Sequence, residues 1–457
     1  MSRSLDLIGL HASSWDDTRG ADVTWTNWAR TETATPVRIE SPASTDEVAG
    51  LIKSAISDGL AVKAVGSGHS FTGAAVAPGV QMRLDALDRV LEVDPATGLV
   101  TVEAGIALHR LNPLLAEHDL AMEILGDIDR QTIAGAISTG THGSGTEFRS
   151  ISHQVRALEL ALADGSVVTC SPTEQPDLFA AARVGLGALG VITKVTLQTV
   201  PLFALEVRDA AMPLTEVLDR THELAGAHDH FEFFWFPWTD TALTRTFTRL
   251  PGDASLAPLG WWSREVDDKL ITNVGLEALC RVGARYPSRV PTHNRLITRA
   301  VSDRTFTDLS FKVFASHRNV RFREGEYAVP RPALVPTLRE LKAWIEKHEE
   351  FVAFPFEVRY GRSDDMWLSP AHERDVAYIA FHQYHRMPHE RFFAACFDIL
   401  AAAGGRPHWG KMHDMAAADL AERYPRFADF VALRDRLDPN GVFANPYLDR
   451  VLGPAGR

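Results

Sequence analysis

Ala64-Val-Gly-Ser-Gly-His69-Ser-Phe-Thr-Gly73 is a loop punctuated by glycines and hydroxyls, with one histidine at its centre. Glycine accepts positive φ and lets backbone approach a ligand, and successive N–H groups in such a turn form an anion-binding nest. A histidine held there can ligate a metal, act as a base or be tethered to a cofactor. The residues before the loop say where it sits. Ser44-Thr-Asp-Glu47 has capping-box spacing, and Val48, Leu51, Ile52, Ala55 and Ile56 recur at helical intervals, so a helix runs to about Gly59. Ala61 to Val65 then reads as a short apolar strand that delivers the chain into the loop.

Beyond the loop, Arg89–Asp94 and Leu99–Glu103 flank Pro95-Ala-Thr-Gly98, and two β-rich runs between Val155 and Cys170 flank Asp164-Gly165. Both patterns predict antiparallel hairpins. Leu108, Leu111, Leu114 and Leu115 mark a helix between them. An apolar strand from Val191 to Val200 ends at Pro201, which reads as the close of a first domain. The expectation for the first 200 residues is α+β, with hairpins and intervening helices in place of regular strand-helix alternation. Afterwards the chain turns aromatic, in His228-Asp-His-Phe-Glu-Phe-Phe-Trp-Phe-Pro-Trp238 and Trp261-Trp262, which suits either a core or a pocket wall. Leu334–Lys347 has helical periodicity and Val352–Tyr360 alternates like a strand. A helical segment after Ala416 and the stretch Leu437–Pro446 complete the chain.

Composition bounds the function. A chain of 457 residues with 45% hydrophobic and 23% charged residues is globular, with two or three domains. The net charge of −12 and the lack of a basic stripe exclude nucleic acid as a partner. No run of about 18 apolar residues predicts a membrane span. Met1–Gly20 has no apolar core of a secretory signal. Cys170, Cys280 and Cys396 are odd in number and widely spaced, which fits buried thiols and a cytoplasmic location.

Four further stretches bear on chemistry. Gly185-Leu-Gly-Ala-Leu-Gly190 matches the dinucleotide fingerprint in letters, but a helix precedes it and a strand follows, the reverse of the order that fingerprint needs. It reads as a helix-to-strand turn beside another ligand. Gln131-Thr-Ile-Ala-Gly-Ala-Ile-Ser-Thr-Gly-Thr-His-Gly-Ser-Gly145 is a second glycine-hydroxyl stretch, suited to backbone pressed against a large planar or phosphorylated ligand. His382-Gln-Tyr-His385 and His408-Trp-Gly-Lys-Met-His413 lack metal-ligand spacing, so no metal is expected, and no Gly-x-Ser-x-Gly elbow supports a hydrolase. Glu357 and Arg359 lie on one face of a strand, as a structural ion pair or as a grip on a polyhydroxylated substrate. Lys411 can hold positive charge near a reacting anion.

Together these stretches resemble the vanillyl-alcohol oxidase type of FAD flavoprotein, in its aldonolactone oxidoreductase branch. Val65, Gly66, Ser67, Gly68, His69 and Ser70 resemble the pyrophosphate loop. Thr132, Ala134, Gly135, Ser138, Thr139, Gly140, Thr141, His142 and Gly143 fall in a stretch that resembles the segment flanking the isoalloxazine. Gly190, Val191 and Ile192 fall in one that resembles the segment near the adenosine. The Glu-x-Arg strand with His-Trp-Gly-Lys points to the sugar-lactone and alditol enzymes. The resemblance implies an FAD-binding domain of two α+β subdomains over 1–200, an α+β cap over 201–420, and a segment 421–457 returning to the first domain.

It further implies an FAD attached through His69 to the flavin 8α-methyl. Because Gly126–Gly145 holds no cysteine, a single histidyl bond is expected. The implied reaction is hydride transfer from a sugar 1,4-lactone (L-gulono-, L-galactono- or D-arabinono-) to flavin N5, giving an ascorbate-type product. Oxygen or another acceptor then reoxidises the flavin, with Ala134 beside the path of oxygen. Glu357 and Arg359 would bind hydroxyls, Lys411 would stabilise charge, and His382 is the candidate proton acceptor. The alternatives are an alditol oxidase acting on xylitol or sorbitol, and a non-catalytic carbohydrate-binding flavoprotein.

Overall fold

The Ser44 cap forms as read, and Glu47 reaches back one residue beyond it. Ser44 Oγ accepts from the Glu47 amide at 3.2 Å, Glu47 accepts from the Ala43 amide at 2.9 Å, and the helix Thr45–Ser57 buries Val48, Ala49, Ile52 and Ala55. The computed structural model describes residues 24–260, 275–300, 303–315 and 320–456, so Met1–Gly20 and Trp261-Trp262 lie outside the described residues. From the helix the chain enters the strand Val62–Val65, which pairs in parallel with Val80–Arg83, itself parallel to Arg38–Glu40. This corrects the expectation of hairpins throughout, because the first unit is a strand-helix-strand crossover. Arg38–Glu40 is three residues long with two charged side chains, so no alternation marks it as a strand.

The next unit is an antiparallel sheet in the order Val167–Cys170, Val155–Ala161, Val191–Gln198, Leu99–Glu103, Val90–Asp94. Both predicted hairpins are present, turning at Gly98 (φ 73°) and Gly165 (φ 74°). The helices Leu108–Ala116, Ile133–Ser138 and Pro176–Ala182 accompany it. Pro201 is less of a stop than it reads. The strand ends at Gln198, Val200–Pro201 pairs briefly with Leu120–Ala121, and Phe203–Pro213 begins the next sheet.

That third sheet has eight antiparallel strands in the order Arg304–Leu309, Phe203–Pro213, Thr241–Pro251, His230–Trp235, Phe356–Gly361, Val376–Tyr384, Phe322–Pro330, Arg406–Pro407. The aromatic run is its fourth strand and serves both uses foreseen for it. Phe231, Phe233 and Trp235 are buried in the hydrophobic core, whereas His230, Glu232 and Phe234 line a cavity on the other face. Alternation along a strand sorts the two sets. The strand expected from Val352 begins at Phe356, because Pro355 has no N–H for the ladder. The helix Leu334–Lys347 forms as expected. Among the described residues no helix is long and apolar enough to cross a membrane, and Cys170, Cys280 and Cys396 are buried and free.

The end of the chain returns to its first loop. Asn445 caps the helix Pro446–Leu452 by accepting from the Leu448 amide at 2.9 Å, and its Nδ2 donates to the carbonyls of Gly73 and Val76, each at 2.9 Å. Asn445→Ala removes the cap and strands these buried carbonyls, so it is expected to destabilise the protein by about 2 kcal/mol. A urea midpoint within error of the parent chain's would refute this account of the residue.

Candidate active site

Gly66 is fixed by steric contact: a Cβ there would lie 2.4 Å from Thr132 Oγ1, the oxygen that caps the helix Ile133–Ser138 by accepting from the Gly135 amide. The two glycine-rich stretches therefore face one another, and the loop bends past at Gly68 (φ 67°). His69 follows, its ring buried with neither nitrogen hydrogen-bonded. Burial, then the charges of Lys411 and Arg130, push its pKa down to about 4, so the imidazole is neutral and has an unengaged lone pair.

The cavity beside it has Val65, Gly66, Ser67, Gly68, His69 and Ser70 on one wall and Thr132, Ala134, Gly135, Ser138 and Thr139 on a second. Gly190, Val191 and Ile192 form a third wall. Gly185–Gly190 is the helix-to-strand turn its context implied, with Gly187 at φ 63° and Gly190 at φ 154°. Gly140, at φ 75°, turns the chain beside Val184 and Pro370 and lines none of the three cavities described here. Thr141 and His142 line an adjoining cavity, and Gly143 lines a third. Exposed amides, hydroxyls and an orphaned imidazole suit a large ligand with phosphates and a planar ring.

The adjoining cavity starts at His69 and Ser70 and is lined by charged groups from four segments: Asp127, Arg359, Glu326, and the loop carrying His408 and Lys411. Strand register brings them together. Glu357 pairs with Ala380, and Ala380 with Glu326, so the two carboxylates share a row across three strands with a small residue between them. The amides of His408 and Met412 donate to the carbonyls of Glu326 and Glu324, each at 2.9 Å, which lays the Lys411 loop along that strand.

Lys411 is ion-paired with Glu324. Burial pushes Glu324 up, but Lys411 and then His382 outweigh it and hold the carboxyl at about 2. Burial likewise lowers Lys411, and Glu324 followed by Glu326 raises it above its ordinary value. His142 has its Nδ1 2.8 Å from the Gly143 carbonyl and its Nε2 2.6 Å from Glu326 Oε1. Burial raises Glu326 and His142 lowers it further, so Glu326 is a carboxylate and both His142 nitrogens face acceptors. His408 is neutral, pushed down to about 4 by burial, and its Nδ1 accepts from the Gly410 amide at 3.0 Å. Its proton therefore sits on Nε2.

His142, Glu326 and His408 place potential metal-ligating atoms within 4.8 Å of one another, a grouping no local spacing could reveal. Glu326 already bonds His142, and the Lys411 ammonium acts on the same carboxylate. The cluster is therefore read as a hydrogen-bonded charge network.

Arg359 is ion-paired and also lines the cavity. Its Nε is 3.1 Å from Glu232 Oε2, Asp127 is 3.6 Å from its terminal nitrogen, it pairs with Glu357, and it lines the cavity. Glu357 lies behind it and does not line the cavity. Arg359 ends a cross-strand row of alternating charge, Arg304–Asp209 at 2.6 Å, Asp209–Arg245 at 2.6 Å, Arg245–Glu232 at 3.9 Å.

The reading of His382 as a group beside the substrate is corrected. Its Nδ1 donates to the Pro355 carbonyl at 2.9 Å, its Nε2 is 3.2 Å from Glu324 Oε1, and its ring packs near Phe322 and Phe354. It does not line the cavity and stands behind Glu324. Glu324 and Glu326 are the residues that went unread. They follow the same i, i+2 pattern as Glu357 and Arg359, which was the signal available. Nothing local marks Glu232, Asp127 or His408 as their partners.

The chain is similar to known proteins along most of its length. The profile described as FAD binding domain matches residues 36–171, and that of D-arabinono-1,4-lactone oxidase matches 195–451, more than half of the chain. The chain belongs to the aldonolactone oxidoreductases of the vanillyl-alcohol oxidase family. An L-gulono-1,4-lactone dehydrogenase of Mycobacterium tuberculosis is 46% identical over 430 residues, covering 94% of this chain and 99% of that protein. An L-gulonolactone oxidase of Mus musculus is 36% identical, covering 94% and 98%. A solvent-stable cholesterol oxidase shares the fold at a TM-score of 0.80 and 18% identity, covering 94% of this chain and 97% of that one. This aldonolactone oxidoreductase is thus an FAD-dependent enzyme acting on CH–OH groups, with an FAD-binding domain and a cap.

The Lys411–Glu324 pair sets an acid limit. A carboxyl lowered from 4.5 to about 2 contributes stability that is complete above 4.5 and lost as pH falls toward 2. Acid unfolding followed by circular dichroism is expected to fall within that window. Glu324→Gln is expected to flatten it while lowering stability at neutral pH, since Lys411 is left partly buried without its partner. A Glu324→Gln chain with the parent's acid profile would refute the assignment.

Proposed function

We propose that the enzyme oxidises the secondary alcohol of an L-gulono-, L-galactono- or D-arabinono-1,4-lactone to an ascorbate-type enediol. The observation that carries the reading is the pair of cations, Arg359 buried and Lys411 partly buried, lining a cavity that opens from His69. A polyhydroxylated lactone offers hydroxyl and carbonyl oxygens to a guanidinium fork and an ammonium. The neutral, partnerless His69 imidazole fits covalent attachment to the cofactor, and bound FAD supplies the hydride acceptor.

The chain's residues divide the remaining work. Arg359 grips substrate oxygens, and Glu357 and Glu232 behind it fix its plane. Lys411, held by Glu324 and backed by His382, places positive charge where anionic charge develops. His408 offers its Nε2–H. Trp28, Phe71 and Phe322 wall the cavity with aromatic surface and limit the entry of water. The FAD-binding domain is assigned to 1–200, the cap to 201–420 and the returning segment to 421–457. Three buried free thiols suit a reducing cytoplasm.

Three measurements test this. The parent chain should carry yellow flavin through acid precipitation, and His69→Ala should release it. Retention by His69→Ala would refute the tether. A lactone should be turned over at least tenfold faster than xylitol, and equal rates would favour an alditol oxidase. Ala134, half-buried on the cofactor wall, is assigned to the path of oxygen. Ala134→Gly is expected to raise stopped-flow reoxidation by oxygen about tenfold or more, a barrier difference of about 1.4 kcal/mol. An unchanged rate would clear Ala134 of that role.

A further inference from the structure

The cofactor cavity must receive a pyrophosphate, yet among its described lining residues Lys63 is the sole lysine, arginine, aspartate or glutamate. Lys63 lies in the strand Val62–Val65, just ahead of the glycine loop, and is 3% exposed. Its ammonium bonds only backbone oxygens: the carbonyls of Leu186 at 3.3 Å, Gly187 at 3.2 Å and Phe443 at 3.4 Å. Those carbonyls belong to the Gly185–Gly190 turn, which lines the cavity, and to the returning segment behind it, so the ammonium is held at the cavity wall from both elements. Its neighbour in the parallel pair, Gln81, is fully buried with both side-chain polar atoms unbonded. A buried ammonium without a bonded anion, beside an orphaned amide, is an environment lacking a negative partner.

We propose that Lys63 is the counter-ion of the cofactor's pyrophosphate, the charge that complements the uncharged amide nest of Gly66–Ser70. The glycine fingerprint thereby gains a role different from that of a dinucleotide site. Its turn directs the Leu186 and Gly187 carbonyls at Lys63, and these hold the ammonium at the cavity wall. Asp438 is the charged group facing Lys63, and it is occupied with the amides of Val442 and Phe443 at 2.7 and 2.8 Å. Burial lowers the free ammonium to about 7, partly offset by Asp438, so a pyrophosphate arriving beside it draws a proton onto it. FAD affinity should accordingly weaken as pH rises above 7.

The test uses the full-length His69→Ala chain, in which flavin exchanges reversibly, titrated with FAD and with riboflavin, which has no phosphate. Lys63→Met is expected to weaken FAD at least tenfold and riboflavin less than twofold, with Lys63→Arg restoring most of the FAD affinity. Equal losses for both ligands would make Lys63 a structural clamp and overturn the proposal, as would undiminished FAD binding. If Lys63→Met does not fold, calorimetry of FAD binding to His69→Ala in two buffers at pH 7 decides the matter. Uptake of roughly half a proton supports the assignment, and none overturns it.

Discussion

A guanidinium cannot be left unpaired in a protein interior without a penalty of several kcal/mol, and the cap is arranged around meeting that requirement for Arg359. Antiparallel register sets Arg304, Asp209, Arg245, Glu232 and Arg359 in one row of alternating sign over five strands. Each charge faces an opposite neighbour, and the row leads from a partly exposed arginine to a buried one at the cavity beside His69. Toward the other edge of the same sheet, on the same face, Glu324 and Glu326 do the equivalent for Lys411, His142 and His408. The eight strands serve as a ruler that spaces charges at fixed intervals. The cations at the inner ends, Arg359 and Lys411, line the cavity beside His69.

This explains what could be read in one dimension. The helix Thr45–Ser57, both hairpins and the glycine loops are local: a capping box, an Asp-Gly pair or a donor-rich stretch declares itself within ten residues. Glu357 and Arg359 were legible because one strand contains both. Their partners were not, since Glu232 and Asp127 come from segments more than a hundred residues away and pairing depends on register. His382 was placed too near the chemistry for the same reason: the pattern put it on the right strand without disclosing that Glu324 stands between it and the cavity. The parallel unit at Arg38–Glu40 escaped because its strand is three residues long and charged.

The fold also clarifies why two glycine-rich stretches are needed. Gly66 and Thr132 meet so closely that neither tolerates added bulk, and the contact fixes the loop bearing His69 against the helix cap at Thr132. The cofactor wall and His69 are thus positioned by one steric contact, and the cap contributes most of the charges of the adjoining cavity. The two cavities differ accordingly: amides and hydroxyls supply most of the polar lining of the first, whereas charged side chains from four segments line the second.

The contact between Asn445 and the carbonyls of Gly73 and Val76 spans about 370 residues of sequence. Val62 likewise donates to the Val442 carbonyl at 2.7 Å, and Lys63 reaches Phe443. On a ribosome the His69 loop emerges early but remains without its last supports until almost the whole chain has been made. A nascent chain stalled before residue 445 has the loop and the residues that line the cofactor cavity, but not the C-terminal contacts that brace them from behind.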